Sequence, residues 1–307
     1  MKTKFLYLFL FIWSLTNGQS KITSEEILIK NDSIELPGTL TFTKAKTPLV
    51  IWVHGSGNVD RNGNQAGVNI KANYIKQFRD EVNKKDIAFF SFDKRTSNPK
   101  NKNFFKGMLF DDFVTDLNTV INHLKSDNRF SEIILAGHSQ GSLIAMLASK
   151  NVDKYISIAG PATSFDKAVI QQITAQSAEF GKVAEAHFKE LFETGDIKQV
   201  NPMLLSIFAK QNFAFLVSWA KHNPSEEIKK LTIPTLIING TKDLQVKVED
   251  ANALHKAKPN AKLVLIENMN HVLKNIEVDA DNMKSYYSAD YPISSELITT
   301  VVAFIKK

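Results

Sequence analysis

Cysteine is absent from the 307 residues. That excludes disulfides, thiol nucleophiles, thiolate metal sites and lipid attachment at a leader cysteine. Arginine is scarce, with 4 residues among the 38 basic ones. Its planar fork is what grips bases and phosphates in bidentate fashion, and the lysines are scattered. The net charge of +6 therefore reads as a solvated surface and not as a nucleic-acid site. Long apolar runs are also missing. The run Phe5 to Leu15, within MKTKFLYLFLFIWSLTNG, is far shorter than the roughly 20 residues that cross a bilayer as a helix, and no second long apolar stretch follows it. Lys2 and Lys4 precede it, and Thr16, Asn17 and Gly18 follow, which is the layout of an export leader. We expect residues 1–18 to be removed near Gly18 or Gln19. The mature protein would then be periplasmic or secreted, with no membrane span.

What is present is an alternation of short apolar runs with longer segments of helical period, the pattern of a mostly parallel sheet covered by helices. Ile27 to Phe42 reads as an antiparallel hairpin at the sheet edge, broken at Pro37-Gly38. Then follow PLVIWV at Pro48 to Val53, IAFFSF at Ile87 to Phe92, EIILA at Glu132 to Ala136, YISIA at Tyr155 to Ala159, PTLII at Pro234 to Ile238 and KLVLI at Lys262 to Ile266. Runs this continuous suit strands buried on both faces. Helical segments fall at Tyr74 to Lys84, Asp112 to Leu124, Gly141 to Lys150, Lys247 to Lys256 and Ser294 to Ile305, with Phe113, Leu117, Val120, Ile121 and Leu124 making one apolar stripe. The core is expected over residues 19–160 and 231–307. Between them, residues 161–230 lack strands and carry Phe180, Phe188, Phe192, Phe208, Phe213, Phe215 and Trp219 among helical stretches. This reads as an inserted helical cap whose aromatics chiefly form its own core.

Within IILAGHSQGSLIAM a strand runs directly through G-H-S-Q-G into a helix. A bare G-x-S-x-G is common turn chemistry, but a strand before it and a helix after it are what a nucleophile elbow requires. Such a turn strains the backbone at Ser139, leaves no room for side chains at Gly137 and Gly141, and lifts the hydroxyl to a helix N-terminus.

A serine needs a base, and the base needs an orienting acid. Asp243, in NGTKDLQV, lies past the strand at Pro234 to Ile238, where open α/β sheets meet their ligands. Gly240 to Asp243 is also good turn chemistry, so its reading as the acid rests on chain order. His271, in ENMNHVL, follows the next strand. The only other histidine after Asp243 is His255, within an exposed helical segment. His138 adjoins the serine and reads as a packing or hydrogen-bonding partner. HGSG at His54 to Gly57 ends a strand with glycines that let backbone N–H groups approach a substrate. The backbone amides of Ser56 and Gln140 are the expected oxyanion donors, with Gly57 the alternative to Ser56.

Together these residues resemble the α/β-hydrolase superfamily, and most of all its bacterial branch of capped esterases, lysophospholipase-like enzymes and serine aminopeptidase-like proteins. HGSGNVDRNG, FDKR at Phe92 to Arg95, GHSQG, NGTKD and MNH stand in that branch's order. The resemblance implies an eight-stranded, mostly parallel sheet, a covalent acyl-enzyme and no cofactor, with Ser139 as nucleophile, Asp243 as acid, His271 as base, and Ser56 and Gln140 as oxyanion donors. The family often continues DKR with glycines and a serine, where this chain has DKRTSNPKNKNF. Arg95 is expected to pair with Asp93 or Asp60, while Asp60 and Arg61 brace the oxyanion loop. The acidic and tyrosine-bearing insertion VDADNMKSYYSADYP follows the base and is expected to be a solvated loop at one wall of the pocket.

Three functions compete at this stage. The leading one is hydrolysis of a small-molecule carboxylic ester. An aminopeptidase or amidase would need a cap carboxylate to bind an ammonium, for which Glu179, Glu185, Glu190 and Glu193 are candidates. A catalytically silent binding protein would lack a triad member, and none is missing.

Overall fold

The computed structural model describes residues 21–65 and 69–307. The expected leader at 1–18 and its cleavage point lie outside the described residues. Eight strands form one sheet in the order β1-β2-β4-β3-β5-β6-β7-β8. They are β1 (Thr23–Asn31), β2 (Ile34–Phe42), β3 (Thr47–Val53), β4 (Ala88–Phe92), β5 (Phe130–His138), β6 (Lys154–Ile158), β7 (Thr235–Gly240) and β8 (Lys262–Ile266). β2 runs antiparallel to β1 and β4, and every other pairing is parallel.

The central strands β3 to β7 are buried over most of their length because both faces are covered, whereas the edge strand β1, TSEEILIKN, is mostly exposed. Along β3, Leu49, Ile51 and Val53 join one core cluster, and Val50 and Trp52 join the other. Helix α1 (Tyr74–Asn83) packs Phe78 and Val82 on the second face. On the first face lie α2 (Asp111–Lys125), with the predicted stripe buried, and α3 (Gln140–Ala148).

The edge hairpin exists, but it turns at Asp32-Ser33, where Asp32 has φ 52°. Pro37-Gly38 lies inside β2 and pairs with Leu28 and Ile27. Glycine is needed there because the Phe90 ring of β4 lies across it. A Cβ on Gly38 would sit 2.3 Å from Phe90 Cζ.

The cap enters between β6 and β7 as α4 (Phe165–Gln176), α5 (Ala178–Thr194), α6 (Leu205–Phe208), α7 (Phe213–Ala220) and α8 (Pro224–Glu227). Phe188, Leu191, Leu204, Phe208, Phe213 and Leu216 form its own core, whereas Phe192 and Leu205 are exposed. Contrary to the expectation that no long apolar stretch follows the leader, Pro202–Lys230 is long and apolar enough to cross a bilayer by length and composition alone. It is broken here into short helices, of which α7, at 8 residues, would span only about 12 Å. The chain then continues through α9 (Val248–Ala257), α10 (Asn282–Ser285) and α11 (Ser295–Ile305).

Candidate active site

Ser139 follows the last residue of β5 and caps α3 with φ 53° and ψ −123°. A non-glycine residue held there stores strain that only its surroundings can sustain. The flanking glycines explain how. A Cβ on Gly141 would lie 2.1 Å from the Val53 carbonyl, and one on Gly137 would lie 2.5 Å from the Gly141 carbonyl. The start of α3 is thus pressed onto the ends of β3 and β5. Beneath the turn, the Ser142 hydroxyl bonds with the Tyr155 hydroxyl at 2.7 Å and the Ser157 hydroxyl at 2.8 Å, so these three buried hydroxyls satisfy one another.

Asp243 and His271 lie beyond β7 and β8, in loops tied together by Lys242 N–H donating to the Met269 carbonyl at 3.0 Å. His271 Nδ1 lies 2.8 Å from Asp243 Oδ2. Both side chains are buried. Asp243 Oδ1 accepts from the amides of Gln245 at 2.7 Å and Val246 at 2.9 Å, which leaves Oδ2 for the imidazole. Burial works to raise the Asp243 pKa, but the His271 charge and hydrogen bond, with the two amides, outweigh it and hold the carboxyl below its ordinary value. Ser139, Ser56 and Gln140 line one cavity of about 220 Å³. Gln140 begins α3, where backbone N–H groups have no intrahelical partner. Among the described residues, Ser139 Oγ forms no hydrogen bond to the His271 ring. His138 links the two instead. Its Nε2 donates to the His271 carbonyl at 2.8 Å, and the two rings lie 4.7 Å apart between centroids.

Arg95 pairs with neither Asp93 nor Asp60. It forks onto Asp116 of α2, with Nε to Oδ2 at 2.6 Å and Nη2 to Oδ1 at 2.7 Å. Arg61 takes Asp93 instead, through contacts of 2.9 to 3.0 Å, while Asp60 Oδ1 accepts from the amides of Asn62 and Asn64. The 278–292 insertion packs behind the loops of Asp243 and His271. Asn282 donates to the Lys242 carbonyl at 2.8 Å and accepts from Asn270 at 3.0 Å, so it bridges the neighbours of Asp243 and of His271. Sequence reasoning missed Lys94. A lysine just past a strand end normally reaches solvent, whereas this one, two residues beyond β4, is buried. Its one visible signal was its place inside FDKR.

Next to the Ser139 cavity is a larger one of about 870 Å³, which shares Ser56, Gln140, Phe165 and Trp219 with it and adds Phe215 and Leu216. On the opposite side, about 650 Å³ is lined by Gln171, Gln172, Gln176 and Glu249. Glu179, Glu185, Glu190 and Glu193 line none of the three.

A sheet of this order, with an elbow at β5 and two polar loops beyond β7 and β8, defines an α/β-hydrolase. The chain belongs to the BD-FAE family, which it matches over residues 39–257. Esterase EstD of Thermotoga maritima is 25% identical over 250 residues, 78% of this chain and 58% of that protein, so the chain spans under three fifths of the curated relative it matches. Among solved structures, Est1E from Butyrivibrio proteoclasticus is 18% identical with a TM-score of 0.57, covering 92% of this chain and 99% of that one. The Pyrococcus furiosus esterase Pf2001 is 16% identical with a TM-score of 0.58, covering 93% and 90%. Both share the fold.

Proposed function

We propose that this chain is an exported serine hydrolase that cleaves small-molecule carboxylic esters through Ser139, His271 and Asp243. The observation that carries the reading is the strained Ser139 opening onto a cavity beside a buried His271–Asp243 pair 2.8 Å apart.

The chemistry follows from these positions. His271 Nε2 takes the Ser139 proton as Oγ attacks the ester carbonyl, and Asp243 holds the Nδ1–H tautomer and stabilises the imidazolium. The oxyanion forms against the backbone amides of Ser56 and Gln140. Collapse expels the alcohol, which receives its proton from His271. Water, deprotonated by the same imidazole, then attacks the acyl-enzyme, releasing the acid and restoring Ser139.

An ester with an apolar or aryl acyl group is supported by the Phe165, Phe215 and Trp219 walls. It is supported also by a structure of Est1E with ferulic acid bound, 20% identical with a TM-score of 0.56. The cap glutamates stand away from the cavities, which favours esters over aminoacyl amides. The layout of residues 1–18 supports export.

A fluorophosphonate probe should label the mature protein, and Ser139→Ala should abolish labelling and hydrolysis across an ester panel. Labelling that survives Ser139→Ala, or an ester panel left untouched by well-folded protein, sinks the assignment. N-terminal sequencing of protein from the extracytoplasmic fraction should begin near Gln19 or Ser20. An intact Met1 would remove the export reading.

A further inference from the structure

The buried ammonium of Lys94 stands behind both expected oxyanion donors. The side chain leaves the end of β4 and turns inward, so that the residue is only 6% exposed. Nζ donates to the Gly55 carbonyl at 2.9 Å and to Gln140 Oε1 at 2.6 Å. It also sits 4.3 Å from the centroid of the Phe113 ring. Two oxygens and a ring face engage the three N–H groups of an ammonium, so Lys94 has none to spare for substrate.

These two oxygens are not arbitrary. The Gly55 carbonyl belongs to the peptide unit that carries the Ser56 N–H, and Gln140 supplies the other donor from its backbone. A peptide is a conjugated unit. A cation on its oxygen draws electron density from its nitrogen and makes the N–H a stronger donor, as chains of hydrogen bonds polarise one another in a low-dielectric interior.

The charge is also uncompensated. Asp93 is engaged by Arg61, and Asp116 by Arg95. His54, beside Lys94, is held neutral by burial and by the lysine's own charge, with its pKa pushed down to about 3. Among the described residues, no carboxylate lies within ion-pair distance of Lys94. Burial alone pushes its pKa down to about 7. A structural lysine buried at this cost would be expected to carry a carboxylate partner. The negative charge that would complement this one is the oxyanion that forms during the reaction.

We propose that Lys94 is a positioning residue that ties the Ser56 and Gln140 amides into one oxyanion hole, strengthening the Ser56 N–H through the Gly55–Ser56 peptide and fixing Gln140 in place through its side chain. The proposal rests on the serine-hydrolase reading above.

Its test is a comparison of Lys94→Met and Lys94→Arg with the wild type, using a p-nitrophenyl ester and a trifluoromethyl ketone that mimics the tetrahedral adduct. Lys94→Met should lower kcat on the order of 10- to 100-fold, below the loss for removing a direct donor, with KM within about twofold and ketone affinity falling in step with kcat. Lys94→Arg, which keeps the cation, should recover part of the loss. Should Lys94→Met fail to fold, Gln140→Leu keeps the backbone amide, removes one of the two oxygen partners, and should show the same split at smaller size. An unchanged kcat, a loss confined to KM, or unaltered ketone affinity overturns the role of Lys94. In that case Ser139→Ala still abolishes activity if the serine-hydrolase reading holds. A wild-type protein that hydrolyses no ester and takes no phosphonate overturns both.

Discussion

His138 Nε2 donates to the backbone carbonyl of His271 at 2.8 Å, so the residue before Ser139 holds the loop that carries the proposed base. The bond fixes the His138 tautomer, leaving Nδ1 as the acceptor for a long contact of 3.5 Å from the Tyr74 hydroxyl, and the ring stacks against Trp52. The elbow and the His271 loop are thereby locked to one another through the His138 side chain.

Replacing that side chain should loosen His271 more than Ser139. His138→Ala is expected to lower kcat about tenfold, because small misplacements of a reacting group are costly. It should also lower stability by about 3 kcal/mol through the cavity it leaves. Steady-state kinetics and urea unfolding check both, and wild-type kcat in the variant would remove His138 from any role in placing His271.

Acid should weaken the fold well before the carboxylates titrate. Burial, first of all, pushes the pKa of both His54 and His138 down to about 3. In the unfolded chain each is about 6.5. Between those values the unfolded chain holds protons that the folded one does not, so stability falls as pH drops through this window. Each histidine should remove about 2 kcal/mol between pH 6.5 and 4.5. Urea titrations at a series of pH values test this. His54→Asn should show about half the slope, and a stability independent of pH across the window would contradict it.

The Arg95–Asp116 pair is buried on both sides, and Asn31 donates to the same carboxylate at 2.8 Å. Asp116→Ala should cost about 3–5 kcal/mol, because it leaves the buried Arg95 guanidinium, as charge partner, only a 3.5 Å contact with the partly exposed Asp112 carboxylate. The double change Arg95→Met and Asp116→Leu should be far milder than the single one. Denaturant midpoints for the three proteins decide the matter, and a double variant no more stable than Asp116→Ala would rule out the stranded charge as the cause.

Trp219 stacks on Phe165 with centroids 3.7 Å apart and faces both the Ser139 cavity and its larger neighbour. Trp219→Ala should widen the passage between them. In an acyl-length series of p-nitrophenyl esters, the ratio of kcat/KM for bulky over acetyl substrates should rise about tenfold, the order that changes in an apolar pocket confer. An unchanged ratio would place the acyl group elsewhere.

What could be read from the chain follows the range of the forces involved. The parallel strands and the elbow are local patterns: a continuous apolar run, a turn that tolerates only glycine at two positions, and a helix. The edge hairpin was misread at its turn because Gly38 answers to Phe90, a residue on another strand. For a related reason Arg95 pairs with neither Asp93 nor Asp60, since the approach of α2 brings Asp116 to it. The 278–292 insertion, expected to be a solvated loop at a pocket wall, is exposed along much of its length, but Asn282 also makes it a brace behind the loops of Asp243 and His271.

By itself the sequence determined the α/β architecture, the place of Ser139 and the chain order in which Asp243 and His271 follow it, because each is written in short-range periodicity and turn chemistry. Only the tertiary structure decided that Lys94 points inward to Gly55 and Gln140, that His138 grips the His271 loop, and which charges find one another. Those choices depend on which distant segments meet, and a buried charge or donor takes its partner from whatever packing brings within about 3 Å.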